Sequence, residues 1–447
     1  MVHLPTPPLS SDPEEIARVE HTRLRRRILY GRHQFDVERR IREAVGTTRQ
    51  IAWGIPDLSS NPLVQVYNQL AALYSETPRV RPPDGAEDVA LALQEAGAWS
   101  LMQRVQRDTL ALRSMAIRVD ITDGILHLRP VFPDLLEVTE DHRRPGQALM
   151  VKEWTQIDGE WVRLCVDVRG EPAYWAEDSD GTDVSLEVLG GNYRGEAFPW
   201  MTLSGPVIPY IFYRPAVTGW FWDAFSGIEV VEGTLQACVY FSYFGHVLRN
   251  TAWKARYAIG LQPAGLNIDE TGKVQDAVTD PAVLMLLEKI QDFDGQPTVG
   301  SFDQPIEPDR LINSIILFER RVKDQALSGV TVTRTTSDVR SAMSLAVSRE
   351  EQRAAQRAYE PVFRRSDLVL IRTVAALMGH ETTGWEISYV AIPRDPAEVK
   401  AEWDMILQAV ESGLMSRAEA YQRLHPGLTL SEAEDAVANI EKELKNE

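Results

Sequence analysis

Residues 309–379 constrain the fold of this chain more than any other stretch, because they predict two helices of very different length separated by a break. The first helix covers residues 309–327, where apolar residues recur every three or four positions and form one face that can be buried. These residues are Leu311, Ile312, Ile315, Ile316, Val322 and Ala326. The pattern stops at Ser328 and Gly329, and we expect the helix to end there.

The break is followed by a second helix that is far longer than a globular core needs. Residues 330–336 alternate β-branched and polar side chains without a helical stripe, which predicts a strand or an extended loop. Ser337 or Asp338 can cap the next helix, and helix-forming residues continue as far as Gly379. At about 1.5 Å per residue this helix exceeds roughly 50 Å. Pro361 falls inside it and removes one backbone hydrogen bond, so we expect a bend there.

The composition is that of a folded protein with several units. The 447 residues, of which 44% are hydrophobic and 25% charged, suffice for about three domains. Two cysteines, Cys165 and Cys238, cannot build a disulfide framework, which indicates a reducing compartment. No apolar run is long enough to predict a membrane span. The nearest candidate, residues 233–248, we interpret as a buried or interface helix.

Charge is distributed unevenly along the chain. The formal net charge of −18 argues against a surface that holds nucleic acid by neutralising phosphates. The N-terminal region is nevertheless basic, with arginine runs within 23–27 and 39–42. We interpret both runs as a solvated helix face with ion pairs to Glu20, Glu38 and Glu43. The alternative is a contact with another subunit or with nucleic acid.

The order of predicted elements indicates an α+β fold. Helices with capping residues start at Asp12 and Asn61, and a further helix covers residues 85–112. Residues 117–213 consist of short alternating runs separated by Gly, Pro and Asp, which predict an antiparallel β region. The remainder predicts, in order, a helix at 220–249, a mixed region with one helix at 281–291, the two helices described above, a strand at 385–392 and small helices with capping boxes at Ser416 and Ser431.

Sequence signatures of catalysis, metal binding or cofactor binding are absent. The chain has no phosphate-binding loop, no dinucleotide fingerprint and no His or Cys pair at metal-ligand spacing. We therefore expect no catalytic residues, no metal site and no cofactor. Residues 178–183 superficially resemble a calcium loop, but the glycine is misplaced, so we interpret them as a hairpin turn.

One catalytic alternative stays open. Three tryptophans of the β region lie beside glutamates, an arrangement that a polysaccharide-active glycoside hydrolase-like enzyme can use. The pairs are Trp154 with Glu153, Trp161 with Glu160 and Trp175 with Glu177. We favour a structural role, because a Trp on an alternating strand is ordinarily part of the core while its neighbour faces the other side.

Taken with the elements on either side, the helix, break and long helix of residues 309–379 resemble those of tailed-bacteriophage portal proteins, the head-to-tail connectors. Residues 61–78 resemble the early wing helix of that family, and residues 215–250 resemble its first stem helix. The resemblance covers most of the chain by order of elements. It implies an α/β wing with an N-terminal arm at 1–219, a first stem helix at 220–251, a clip at 252–308, a second stem helix at 309–327, a tunnel loop at 328–338, a long kinked helix and wing strand at 339–395, and a helical crown at 396–447.

The function implied by this resemblance is that of a channel. Portal proteins form a ring, dodecameric in that family, at a unique capsid vertex of the virion, and double-stranded DNA is packaged and ejected through it. The implied partners are the terminase large subunit, a head-tail adaptor protein and the major capsid protein, with no membrane. Assembly would take place in the cytoplasm of the host bacterium. The alternative to a portal protein that likewise involves no catalysis is another ring component of a phage-like particle.

The tunnel loop is the segment to which the resemblance assigns contact with DNA. Its DNA-facing residues are Val330, Thr331, Val332, Thr333, Arg334, Thr335 and Thr336. Valine and threonine would form a low-friction constriction, and Arg334 would contact phosphate or, equally, pair with an adjacent subunit. The acidic balance of the chain fits this role, because a basic channel wall would hold phosphates and stall the DNA.

Overall fold

The described part of the chain is an α+β protein, as predicted. The computed structural model describes residues 12–45, 56–189, 198–216, 218, 221–252, 255–259, 261–263, 287–289, 296, 298–302, 307–327, 342–392, 396–424, 433–434 and 436–439. Helices dominate both ends of this sequence, and antiparallel strands occupy most of its middle third. The domain boundaries implied by the resemblance stay predictions.

Helices of very different length make up the α part. They are α1 (Pro13–Leu29), α2 (Gln34–Val45), α3 (Pro62–Leu70), α4 (Glu87–Glu95), α5 (Ala98–Leu112), α6 (Ser185–Val188), α7 (Ile228–Ala252), α8 (Pro308–Leu327), α9 (Ala342–Leu377), α10 (Pro396–Glu411) and α11 (Arg417–Leu424), with a 3₁₀ turn at Pro133–Leu135. The long helix predicted from the sequence is α9, whose 36 residues extend over about 54 Å.

All strand pairs are antiparallel, as the alternating runs predict. The strands are β1 (Arg79–Arg81), β2 (Met115–Thr122), β3 (Ile125–Val131), β4 (Leu136–Glu140), β5 (Ala148–Ile157), β6 (Glu160–Asp167), β7 (Ala173–Glu177), β8 (Met201–Thr202), β9 (Gly205–Pro206), β10 (Tyr210–Tyr213), β11 (Ala255–Ile259), β12 (Leu261–Pro263), β13 (Leu287–Lys289), β14 (Thr298–Phe302) and β15 (Glu386–Ser388). One sheet has the order β10–β2–β3 and a larger one the order β4–β5–β6–β7. The other four sheets each contain two strands.

The main hydrophobic core joins the helices to the β10–β2–β3 sheet. Buried side chains of α3, α5, α7 and α9 meet those of β2 and β10 in one cluster. A second cluster lies between the two larger sheets and includes Val131, Val151 and Trp200. The helix α9 therefore packs on the core through Phe363 and Leu370, although its length exceeds what that core needs.

Local capping chemistry was predicted correctly. The carboxylate of Asp12 accepts a hydrogen bond from the Glu14 amide at 3.0 Å, and the side chain of Asn61 accepts one from Val64 at 3.1 Å. At Ser416 the capping box is complete, because the Ser416 amide donates to Glu419 and the Glu419 amide donates back at 3.1 Å. Ser431 lies outside the described residues.

The acidic stretch 178–183 forms the hairpin turn that the sequence predicts. The Asp178 carboxylate accepts hydrogen bonds from the amides of Asp180 at 2.9 Å and Thr182 at 2.8 Å. Gly181 has a φ of +85°, which a glycine adopts without strain. The aspartate side chain therefore closes the turn on its own backbone.

Several predicted element boundaries were wrong. The helix expected over 85–112 is two helices, since Gly97 adopts a left-handed φ of +65° between α4 and α5. The helix expected from residue 220 begins at Ile228, and the turn before it ends at Gly227, where φ is +70°. Part of the helix expected at 281–291 is instead strand β13. The strand expected at 385–392 is limited to β15.

The interpretation of the first arginine run as a solvated face was wrong. Arg25 is fully buried in α1, where its guanidinium donates to the carbonyls of Ala111 at 3.0 Å and Ser226 at 2.5 Å. Arg26 is also buried and lies 3.1 Å from the Asp134 carboxylate. These contacts attach α1 to α5, to the 3₁₀ turn and to the start of α7.

Arg39 and Arg42 of the second arginine run behave as predicted, whereas Arg40 pairs with Glu232 of α7. Arg39 lies 3.9 Å from Glu43, and Arg42 lies 3.7 Å from Glu38, each one helical turn apart on α2. Both arginines are well exposed, so these pairs contribute little to stability.

Candidate functional site

The two helices that the resemblance assigns to the stem, α7 and α8, pack against each other as an antiparallel pair. Gly233 of α7 lies directly against Val322 of α8, and a Cβ atom at position 233 would come within 2.5 Å of a Val322 methyl carbon. Tyr240 lies two turns after Gly233 on α7, and Phe318 lies one turn before Val322 on α8. Their rings meet edge to face with 5.2 Å between the centroids. The pairing therefore depends on one glycine at its closest point.

Strands connect the two helices and explain their opposite directions. Strand β11 follows α7 and pairs with β14, which precedes α8, with Ala255 opposite Phe302. The pair β12–β13 lies further along the same connection. Because antiparallel strands bring the end of α7 next to the start of α8, the chain leaves and returns at the same end of the helix pair.

The N-terminal half of α7 is buried by α2, α3 and the segment before α3. The Cys238 thiol donates to the Ser60 carbonyl at 3.2 Å and lies 3.5 Å from the His33 ring, and burial raises the pKa of this thiol to about 12. Thr234 accepts a hydrogen bond from the Leu63 amide at 3.3 Å. This half of α7 is therefore fixed within the core and its thiol is not reactive.

Apolar side chains of the helix pair also face outward. Leu317 is 62% exposed and Ile316 is 43% exposed, and Ile228 and Tyr240 of α7 are exposed as well. The prediction that Ile316 belongs to the buried face of α8 was wrong, because Ile316 is exposed whereas Ile315 and Val322 are buried. We call the exposed residues Ile228, Tyr240, Ile316 and Leu317 the outer apolar surface of the pair.

The predicted DNA-facing residues, Val330, Thr331, Val332, Thr333, Arg334, Thr335 and Thr336, lie outside the described residues. The flanking helices are described as far as Leu327 on one side and from Ala342 on the other. The DNA-facing role of these residues therefore stays a prediction.

The long helix α9 is fixed to the rest of the molecule by a buried carboxylate. Asp367 accepts hydrogen bonds from the hydroxyls of three tyrosines, with Tyr74 at 2.7 Å, Tyr213 at 2.9 Å and Tyr389 closer still. Burial raises the pKa of Asp367 to about 6, while the three phenolic hydrogen bonds lower it. We call these four residues the tyrosine clamp. It joins α9 to strand β10, to the segment after α3 and to the segment after β15.

Sequence reasoning missed this clamp entirely. Tyr74 and Tyr213 lie 293 and 154 residues before Asp367, Tyr389 lies 22 residues after it, and none of the four belongs to a motif. The signal that the sequence offers is Asp367 itself, a charged residue directly before the apolar run of residues 368–371. As predicted, Pro361 lies within α9, one and a half turns before this aspartate.

Two of the three glutamates that neighbour tryptophans in the β region, Glu153 and Glu177, are held within polar networks. Glu153 is buried and accepts hydrogen bonds from Tyr210 at 2.7 Å and Arg129 at 2.5 Å. Glu177 lies 3.2 Å from Lys152 and accepts from the Trp175 ring nitrogen at 2.8 Å. Although burial opposes the change, hydrogen bonds from Trp175 and Lys152 lower the pKa of Glu177, which is the opposite of what a general acid needs.

The described residues contain neither a candidate metal cluster nor a membrane-spanning helix. Within them, no group of three or more His, Cys, Asp or Glu side chains could hold a metal ion. No described helix is long and apolar enough to cross a membrane.

Comparisons with known proteins found similar chains among solved structures, two of which are described below. No family model matches the chain, and no curated protein matches it. A chain in the virion of a native gene transfer agent particle is 14% identical, with a TM-score of 0.44, over 88% of this chain and 98% of that one. A chain in the neck of an empty particle of this kind, computed with C6 symmetry, is 14% identical, with a TM-score of 0.45, over 87% and 98%. This protein is therefore similar to those two chains over most of its length, at 14% sequence identity.

Proposed function

We propose that this protein is a portal-type subunit, which forms a ring at a unique capsid vertex of a phage-like particle. Double-stranded DNA passes through the ring during packaging and ejection. The terminase large subunit docks on the ring first, and an adaptor or tail protein docks later, while the major capsid protein surrounds it. The proposal places the protein in the virion after assembly in the host cytoplasm, and it assigns no catalytic reaction to it.

One observation carries this proposal, the antiparallel pair of α7 and α8 that leads into α9. The pair gives the chain a two-helix stem with a strand-containing connection at one end. At the other end, α8 continues through residues 328–341 into a helix that the tyrosine clamp fixes to the body of the molecule. The order stem, connection, stem, break and long helix is that of the portal family.

The outer apolar surface of the helix pair supports the ring. Leu317 and Ile316 of α8 and Tyr240 of α7 all expose large apolar side chains. Such a surface on a helix pair is typical of a contact with further helices. In a ring, the same pair of a neighbouring copy covers it.

The charge of the chain supports passage of DNA rather than its retention. A net charge of −18 disfavours neutralisation of the phosphates by the protein, so DNA slides through the channel instead of binding to its wall. In this proposal Arg334 supplies a transient phosphate contact. Replacing Arg334 with Ala should then reduce DNA packaging or retention, and unchanged values of both would remove this residue from the role.

Negative-stain images of the purified protein test the proposal. We expect rings with a central channel, and a stable monomer at micromolar concentration would contradict it. The variant Leu317→Asp should reduce the fraction of rings at least tenfold, because it places a charge in the contact between copies. Leu186→Asp is the matched control, since Leu186 is similarly exposed on the short helix α6. Equal ring fractions for the two variants would remove the helix pair from the subunit interface.

A further inference from the structure

Pro361 divides the long helix α9 into two parts that are held unequally. It lacks the amide hydrogen that would donate to the carbonyl of Arg357, so the helix can bend at this point. In residues 352–360, directly before the proline, Ala355 and Gln356 are the buried side chains. After the proline, six side chains are buried: Phe363, Asp367, Leu370, Ile371, Val374 and Ala375. The C-terminal part is therefore fixed, whereas the described end of the N-terminal part has few anchors.

Two hydrogen bonds of the Gln356 side chain hold the N-terminal part of α9. Its Nε2 atom donates to the Val390 carbonyl at 2.8 Å, and its Oε1 atom accepts from the Ile392 amide at 3.3 Å. The neighbouring Tyr389 donates to the buried carboxylate of the tyrosine clamp, which lies on the other side of the proline. Residues 389–392 therefore run alongside α9 in the opposite direction and bridge its proline. We call this segment the splint.

We propose that the splint is the latch of a hinge at Pro361. While Gln356 is bonded to the splint, the N-terminal part of α9 keeps one angle to the body of the molecule, and when both bonds break, this part swings about the proline. The two bonds join an uncharged side chain to backbone groups, so water replaces them at a modest cost. A swing of the C-terminal part would instead expose its six buried side chains to water. The unequal burial therefore decides which part moves.

The latch sets the position of Ala342, where α9 begins. This residue lies nineteen positions before Pro361, so a bend of about 20° displaces the start of the helix by about 10 Å. In the ring of the proposed function, α9 of each copy then takes two angles while the core and the tyrosine clamp hold the body unchanged. This consequence rests on the proposed function, whereas the hinge is a property of one chain and can be tested without a ring.

Distances between two spin labels, measured by pulsed electron paramagnetic resonance, test the hinge. One label is attached at Ser348→Cys, thirteen residues before the proline, and the other at Leu91→Cys, which is exposed on α4. Both natural cysteines are buried, and an excess of unlabelled protein makes distances within one copy dominate. With Gln356 present we expect one narrow distance distribution. Gln356→Met keeps the size of the side chain without its hydrogen bonds, and it should shift or broaden the distribution by about 7 Å, the displacement of position 348 for a bend of about 20°.

Two further variants decide whether the change comes from a latch and a hinge. Gln352→Met is the matched control, because Gln352 lies one turn earlier on α9, is partly buried and forms no hydrogen bond with the splint in the described structure. Pro361→Ala restores the missing amide, so combining it with Gln356→Met should recover the narrow distribution. The hinge is overturned by an unchanged distribution for Gln356→Met, by an equal change for Gln352→Met, or by a double variant that stays broad.

Folding and ring formation are followed separately from the distances. If circular dichroism shows that Gln356→Met does not fold, Gln356→Glu, which loses only the donor to Val390, carries the same expectation. Rings with unchanged distances would leave the proposed function standing without the hinge. Changed distances in a protein that forms no rings would leave the hinge standing without the ring.

Discussion

At the scale of single residues, the closest contact between α7 and α8 depends on the missing side chain of Gly233. We expect Gly233→Ala to destabilise the protein by about 1–3 kcal/mol, because the new methyl group overlaps Val322 on a stiff, β-branched side chain. The free energy of unfolding, measured in urea, checks this value.

Gly245 on the same helix is the matched control. A Cβ atom there has no neighbour within 4 Å, so Gly245→Ala should leave stability unchanged or raise it by about 0.5–1 kcal/mol through helix propensity. If the two substitutions had the same effect, close packing at position 233 would not be what holds the pair together. Combining Gly233→Ala with Val322→Ala should recover part of the loss.

The buried carboxylate of the tyrosine clamp makes stability depend on pH. The folded pKa of Asp367, about 6, lies above the usual value of about 3.9. Its contribution to stability is therefore fully present below about pH 4 and is lost as the pH rises through 6. Asp367→Asn has no such titration, so the difference in unfolding free energy between the natural protein and the variant should shrink by about 2–3 kcal/mol from pH 4 to pH 7.

Urea unfolding of both proteins at several pH values measures this change. Glu360→Gln is the control, because Glu360 pairs with Arg364 on the same helix but at its partly exposed surface. Parallel curves for the natural protein and Asp367→Asn would show that Asp367 does not titrate in this range.

At the scale of elements, buried arginines fix α1 in place. Arg25→Ala would leave the carbonyls of Ala111 and Ser226 without their donor, and we expect a loss of about 2–4 kcal/mol. Arg39→Ala on α2 is the matched control, since Arg39 is largely exposed and its removal should change stability by less than about 0.5 kcal/mol. Thermal unfolding followed by circular dichroism measures both. A small effect of Arg25→Ala would show that water replaces the guanidinium.

Elements that depend on neighbouring residues could be predicted from the sequence, and those that depend on distant contacts could not. Caps at Asp12, Asn61 and Ser416 use residues at most three positions away, so their chemistry is visible locally. The burial of Arg25 depends instead on carbonyls 86 and 201 positions along the chain. An arginine run has the same sequence pattern whether its side chains face solvent or donate to buried carbonyls.

The pair of α7 and α8 likewise has some features that the sequence predicts and others that it does not. Periodicity correctly predicted α8 and assigned Ile315 and Val322 to its buried face. It could not exclude Ile316, because an apolar stripe does not reveal which of its edges meets the partner helix within one chain. The close approach at Gly233 was also hidden, since a glycine within a helical pattern has the same appearance with or without a neighbour.

At the scale of the whole molecule, the charge predicts weak binding of free DNA. With a net charge of −18, the purified protein should not bind a short DNA duplex at about 0.15 M salt. Fluorescence anisotropy of a labelled duplex measures this, and Arg334→Ala should give the same result outside a packaging reaction. Micromolar affinity with a steep dependence on salt would indicate a basic surface that contradicts sliding passage.

The tyrosine clamp also bears on how the chain folds as it is made. Its hydroxyl donors come from positions 74, 213 and 389, and the contact between Asp367 and Tyr74 spans 293 residues of sequence. Contacts of such high order form slowly, because long loops must close before the contact offsets their entropy. Until Tyr389 has emerged from the ribosome, Asp367 lacks one of its three hydroxyl donors. Attachment of the long helix to the body of the protein is therefore among the last steps of its synthesis, which delays assembly until nearly the whole chain has emerged.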